Sequence, residues 1–186
     1  ELKTTALAGV PMLLNIGASI KASAEYRVEM TRIGNTANMT REQSKALGSE
    51  LLNASAKVGV AATTLQEGLG EMVAGGIDPT KSIKAVDSMG NVIKAYKADA
   101  KDVGATNIAL INHMGYTADQ LRRPWDMLAS AANQGNFELK DIAQSIPSIG
   151  AAMKSLKVEG DEGTASMGAW LQIAKRGAGN ASEAAN

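Results

Sequence analysis

The 186-residue sequence has no cysteine, one histidine and only 3% aromatic residues. Without cysteine there is no disulfide framework, no thiolate nucleophile and no Cys-ligated zinc, which fits a reducing compartment. One histidine leaves no two-His metal motif, and neither HExxH nor GxSxG occurs. Net charge is missing too: 19 Lys and Arg balance 19 Asp and Glu, and neither sign forms a long block. That argues against a nucleic-acid-binding surface, which shows a basic excess or stripe. The most apolar early run, residues 10–20, contains Pro11, Asn15 and Gly17. It falls short of the ~20 apolar residues a membrane span requires. No basic start or cleavage pattern marks a signal peptide. The sequence opens on Glu1 rather than Met, so a piece of a longer or processed protein is expected.

What is present is alanine, which supplies much of the 45% hydrophobic fraction. Alanine has the highest helix propensity, whereas strands prefer β-branched and aromatic residues. The fold class is therefore all-α, a multihelical domain whose core is Leu, Ile, Val, Met and close-packed Ala. The stretch 59–95 shows the unit of construction. Thr63 with Gln66 three residues on reads as a capping box, and Leu65, Leu69, Met72 and Val73 form one apolar stripe. Gly75 and Gly76 stop that helix, then Asp78 caps the next with Pro79 at its first position. Ile83, Val86, Gly90 and Ile93 carry the second stripe.

Before this unit, residues 2–36 read as a helix interrupted at Pro11. One of its faces holds Leu13, Ile16, Ile20, Ala24 and Val28, and a second holds Tyr26, Met30 and Ile33. Thr40 with Gln43 opens a helix with the stripe Leu47, Leu51, Ala54 and Val58. After it, residues 97–102 alternate charge with alanine as a helix end or hinge. Val103 to Met114 resumes an apolar helix. The pattern then recurs from Gly115, with Thr117 and Gln120 as a capping box and Leu121, Trp125, Leu128 and Ala132 as the stripe. A helix from Glu138 to Ile146 follows, broken or kinked at Pro147. A truncated third copy is expected from Gly160, with the stripe Met167, Trp170, Leu171 and Ala174 ending at Gly177. The copies lie about 56 to 59 residues apart, which gives duplicated helical pairs. Seven or eight helices are expected, broken near Gly34, Gly59, Gly75 and Gly76, Asp102, Gly115, Gly135 and Gly160. Buried positions should include Leu65, Leu69, Val73, Ile83, Val86, Ile93, Leu121, Leu128, Ile142 and Ile146.

No residue here announces chemistry. His113 sits just before a helix-ending glycine, where interaction with the helix C-terminus is the expected role. Glu67 and Glu71 are one turn apart, as are Asp87 and Asn91, but such pairs occur on most solvated helix faces. Arg122 and Arg123 precede Pro124 and Trp125. Trp125 belongs to the apolar stripe, the arginines read as a solvated face, and Pro124 is expected to strain or kink its helix. The nine methionines read as core filler. Catalytic, cofactor-binding and metal-binding residues are all expected to be absent.

The order of several stretches resembles the core region of phage tail tape measure proteins of the TP901 type. Leu47 to Val58 leads into Met72-Val73-Ala74-Gly75-Gly76-Ile77-Asp78. Met127 to Phe137 then leads into Leu139-Lys140-Asp141-Ile142-Ala143, and Leu171 to Asn186 closes the run. The resemblance implies a structural protein of the virion that occupies the tail tube and sets tail length. Its implied partners are tail tube protein, tail assembly chaperones and tail tip proteins, with self-association. It implies the tail lumen as location, after assembly in the host cytoplasm. On this reading residues 1–38 are an N-terminal helical segment, 39–177 the tape-measure-like core and 178–186 a flexible tail or lead into a longer chain. The core is expected either drawn out in the assembled tail or packed as a plug. Two alternatives stay open, a segment of a peptidoglycan-degrading enzyme and a helical interaction module.

Overall fold

Thr40 accepts a hydrogen bond from the Gln43 amide while the Gln43 side chain accepts one from the Thr40 amide, and this reciprocal box starts a helix at Arg41. In the computed structural model, residues 9–177 are described, with side chains over residues 23–141 and 143–173. They form α1 (Gly9–Thr36), α2 (Arg41–Val58), α3 (Ala62–Ala74), α4 (Pro79–Ser82), α5 (Val86–Tyr96), α6 (Ala100–Asn112), α7 (Arg122–Gly135), α8 (Leu139–Ala143), α9 (Ile146–Ser155) and α10 (Gly160–Gly177). No strand occurs among the described residues, so the all-α reading holds. There are more helices than expected because both second helices are split. A 3-10 turn, Ile83–Ala85, separates α4 from α5, and α8 ends three residues before α9.

Several boundaries have other causes than the sequence suggested. Ala61, not Thr63, stands at the start of α3 and makes no side-chain cap. Gln66 is turned inward instead, donating to the Tyr26 carbonyl at 2.8 Å. Gly34 lies inside α1, where a Cβ would meet the Ser44 hydroxyl at 1.9 Å; it permits close approach of α2 and breaks nothing. The expected break at Asp102 falls at Lys97, which takes the left-handed conformation with φ 52°, and Asp99 caps α6. Asn136 (φ 56°) rather than Gly135 turns the chain after α7. Three prolines occupy first turns, where the missing N–H has no intrahelical acceptor to lose. Pro79 opens α4, Pro124 is in the first turn of α7, and Pro147 is the second residue of α9, so none of the three kinks a helix interior. The turn before Pro11 lies outside the described residues. Residues before Gly9 and the expected tail 178–186 lie outside the described residues.

One apolar cluster runs through the molecule and includes Met30, Ile33, Leu51, Leu65, Leu69, Val86, Leu110, Leu121, Leu128 and Ile146. Of the expected stripe, Ile83 is half-buried and packs on this cluster, and the Ile142 side chain lies outside the described ones. Tyr26, Met30 and Ile33 turn α1 toward this core, while Ala24 and Val28 of its other expected face are exposed. The side chains of Leu13, Ile16 and Ile20 lie outside the described ones. Met167 and Leu171 are buried as expected, but Trp170 is exposed.

The duplication is longer and more regular than the sequence suggested. α3, α4, α5 and α6 begin at Ala62, Pro79, Val86 and Ala100; α7, α8, α9 and α10 begin at Arg122, Leu139, Ile146 and Gly160, each 60 residues later (122 less 62, and so on). The left-handed residues keep step, Gly76 with Asn136 and Lys97 with Lys157. The repeating unit is thus α3 to α6, and the expected third copy at Gly160 is the last helix of the second. In each unit the first and last helices cross tightly over glycine. A Cβ on Gly104 would lie 2.7 Å from the Gly68 carbonyl, and one on Gly168 would lie 2.6 Å from the Ala131 Cβ.

The two threonines separate capping from mere resemblance to a cap. Thr40→Ala is expected to cost about 1 kcal/mol, whereas Thr63→Ala should change stability by less than about 0.5 kcal/mol. Urea unfolding followed by circular dichroism compares the two.

Candidate functional site

His113 ends α6, as its place before Gly115 implied, and packs beside Gly150 of α9. Its Nδ1, the atom a triad carboxylate would hold, is buried without a hydrogen-bond partner. Glu67 points to solvent, and the half-buried Glu71 lays its Cβ and Cγ against Gly104. Asp87 pairs with Lys57 of α2, and Asn91 is exposed. None of these carboxylates meets a second one across a cleft, the arrangement glycoside hydrolysis needs. Among the described residues no cluster of His, Asp and Glu could hold a metal ion.

The basic pair divides between two neighbours. Arg122 reaches Asp126 one turn on at 3.8 Å, and Arg123 pairs with Asp161 at the start of α10. Trp125 is buried, and its indole N–H donates to Asn107 Oδ1 at 2.8 Å. Asn107 in turn approaches Met72 Sδ at 3.7 Å, so one buried polar chain ties α7 through α6 to α3. Six methionines, Met30, Met72, Met89, Met114, Met153 and Met167, are core residues, which bears out their reading as filler.

Two features had no signal in the sequence. Tyr116 donates to Asp161 at 2.8 Å and lies 2.9 Å from the Thr164 hydroxyl, joining the loop before α7 to the start of α10. Burial pushes the Tyr116 phenol pKa up, which keeps it a donor at neutral pH. The second feature is a groove of about 1330 Å³ between α1 and α2. Tyr26, Met30 and Leu52 line it, with Arg27, Arg41 and Lys45 at its edges. Glu42 is the one carboxylate among the described residues that line it. Burial raises the Tyr26 pKa to about 12, and its hydroxyl donates to the Gly48 carbonyl at 2.7 Å across the floor. These contacts are suited to holding helices in register.

Residues 41–186 match the family described as phage-related minor tail protein. The chain belongs to that family. Across 98% of its length it is 28% identical to a probable tape measure protein of Burkholderia phage BcepMu, of which it spans 22%. It is 25% identical to the tape measure protein of Pneumococcus phage Dp-1 over 89% of its length, spanning 14% of that protein. A probable tape measure protein of Clostridium phage phiCD119 is 24% identical over 77% of the chain, which spans 16% of it. The chain thus corresponds to less than a quarter of the length of these minor tail relatives. No solved structure matches it. No described helix of this minor tail protein is long and apolar enough to cross a membrane.

Proposed function

We propose that this chain is a segment of a phage tail tape measure protein, a structural and non-enzymatic component that occupies the tail tube and sets tail length during assembly. The observation that carries the reading is likeness to a probable tape measure protein along 98% of the chain. The helices support it in that their contacts serve packing and register. On this reading residues 39–177 are the tape-measure-like core, and 1–38 a helical segment leading into it. Residues 178–186 are a tail or a lead into a longer chain. Tail tube protein, assembly chaperones and tail tip proteins are its partners, met in the host cytoplasm during assembly and then in the tail lumen. The isolated chain packs as described, and in the tube the helices are drawn out end to end.

Excising one 60-residue unit, residues 62–121, from the full protein tests this. The cut joins Ala61 to Arg122, so the start of α7 takes the place of the start of α3 and the remaining helices keep their order. A helix rises about 1.5 Å per residue, so drawn-out helices predict tails shorter by about 90 Å in electron micrographs. Infectious particles with tails of unchanged length would overturn the ruler role of this segment.

A further inference from the structure

The 60-residue register shows how one unit receives the next. α6 crosses α3 with one face, and with another it takes α8 and α9 of the following unit. Thr106 Oγ1 on this second face donates to the Ala143 carbonyl at 2.8 Å. Gly150 faces Ala109 and His113, and a Cβ there would rest in ordinary contact, 3.7 Å from the Ala109 Cβ. Four residues later, Lys154 donates to the Asn112 carbonyl at the end of α6, at 2.6 Å. One unit earlier Gly90 and Lys94, 60 residues before Gly150 and Lys154, join α5 to α2, though at Val58, six residues past the position in register with Asn112. Gly90 lies against Val58, and Lys94, again four residues on, donates to the Val58 carbonyl at 3.2 Å. α2 and α6 are therefore successive spine helices, each accepting a glycine and a C-terminal lysine cap from the unit that follows.

α10 is the next spine helix, and its corresponding face is open. The residues 60 after Ala109, Leu110 and His113 are Ala169, Trp170 and Ile173. Leu110 is 0% exposed, but Trp170 is 57% and Ile173 69% exposed. Single apolar side chains such as Val28, Leu52 and Leu156 are exposed elsewhere, but the matching open face of the other crossing helix is polar. α3 turns Gln66 and Gly70 toward α1, Gln66 bonding the Tyr26 carbonyl and Gly70 packing near Ile33. The matching positions of α7, uncovered among the described residues, are the exposed and polar Asp126 and Ser130. α7 is adapted to water at the face its unit leaves uncovered. α10 carries tryptophan and isoleucine there, spaced along one helical stripe.

We propose that the Trp170–Ile173 face of α10 is the docking site for a further unit of the same construction, supplied by the continuing chain of the longer protein. The relatives are long enough to hold one, since this chain spans 22% and 14% of the first two. The incoming pair has the α8–α9 form, with a glycine over Ala169 and, four residues on, a lysine near Gln172, the position 60 residues after Asn112. The proposal stands on the register of the units and not on the tape measure reading.

The chain has no cysteine, so Ile173→Cys introduces a single reporter thiol. Its rate of maleimide labelling is measured in three proteins. These are the 186-residue chain, the full-length protein, and residues 1–177 extended in register by a second copy of residues 118–177. Labelling is expected to be unhindered in the first and at least tenfold slower in the other two, with Trp170→Asp restoring the fast rate. Should the extension lack the added helical circular dichroism of a folded unit, a copy of residues 58–117 replaces it. Fast labelling in the full-length protein or in a folded extension overturns the proposal. So does protection in the 186-residue chain that grows with its concentration, which would make a second copy the occupant.

Discussion

Trp125→Ala is expected to destabilise the chain by about 3–5 kcal/mol, the range for truncating a buried large aromatic residue. Two losses add at this position. The indole ring leaves a cavity at the start of α7, and Asn107 Oδ1, on a residue 0% exposed, loses its donor. Trp125→Phe separates the two, because it keeps a ring but removes the N–H. An unsatisfied buried acceptor costs about 1–3 kcal/mol, so the phenylalanine variant should fall well short of the alanine one. Urea midpoints and slopes for both variants check this. A loss below about 1 kcal/mol for Trp125→Ala would mean that α7 does not pack on α6 in solution. The polar chain from Met72 through Asn107 to Trp125 joins the two units, so its loss should act on the whole molecule and the transition should stay single.

The second large effect is expected from Leu69→Ala, about 2–5 kcal/mol. Leu69 is 0% exposed in the middle of α3, the helix that α6 crosses over Gly68 and Gly104. That crossing leaves little freedom to close a cavity, because the Gly104 backbone already lies against the Gly68 carbonyl. Surroundings that cannot collapse place the cost toward the upper end of the range. The repeat supplies the comparison, since Ala129 holds the matching place in α7. An unchanged unfolding midpoint for Leu69→Ala would show that this side chain is not core in the isolated chain.

What the sequence made legible was chemistry that acts over three or four residues. The capping boxes of Thr40 with Gln43 and Thr117 with Gln120, and the Asp78 cap before Pro79, all form, because both partners lie within one turn. The stripes Leu65 to Val73 and Leu121 to Ala132 were legible for the same reason. The pairing of Thr63 with Gln66 failed because Thr63 lies inside α3 and the Gln66 side chain, which would have accepted from the Thr63 amide, is turned inward to donate to the Tyr26 carbonyl forty residues away. The left-handed turns at Lys97 and Lys157 were hidden by the lack of glycine, while α7 ended at the expected Gly135 with Asn136 taking the turn. After Lys157, the half-buried Val158 bonds back to the Met153 carbonyl, so tertiary burial sustains a left-handed turn that local propensity disfavours. Likeness of Gly115 to Gly59 drew the repeat period short, whereas the helix starts themselves give 60. Trp170 looked like core because periodicity reports which residues share a face, not whether a neighbour covers it. The buried polar chain and the Tyr116 cluster join residues far apart in sequence, so no local pattern announced either.

The constant 60-residue register has a genetic consequence. A deletion or duplication of 60 residues leaves the helix starts in step and keeps the order of helices. Length can then be inherited in whole units, with no shift of phase at the junction. Under the drawn-out reading each such event moves the tail by a fixed quantum of about 90 Å. Related phages would then differ in tail length by discrete steps.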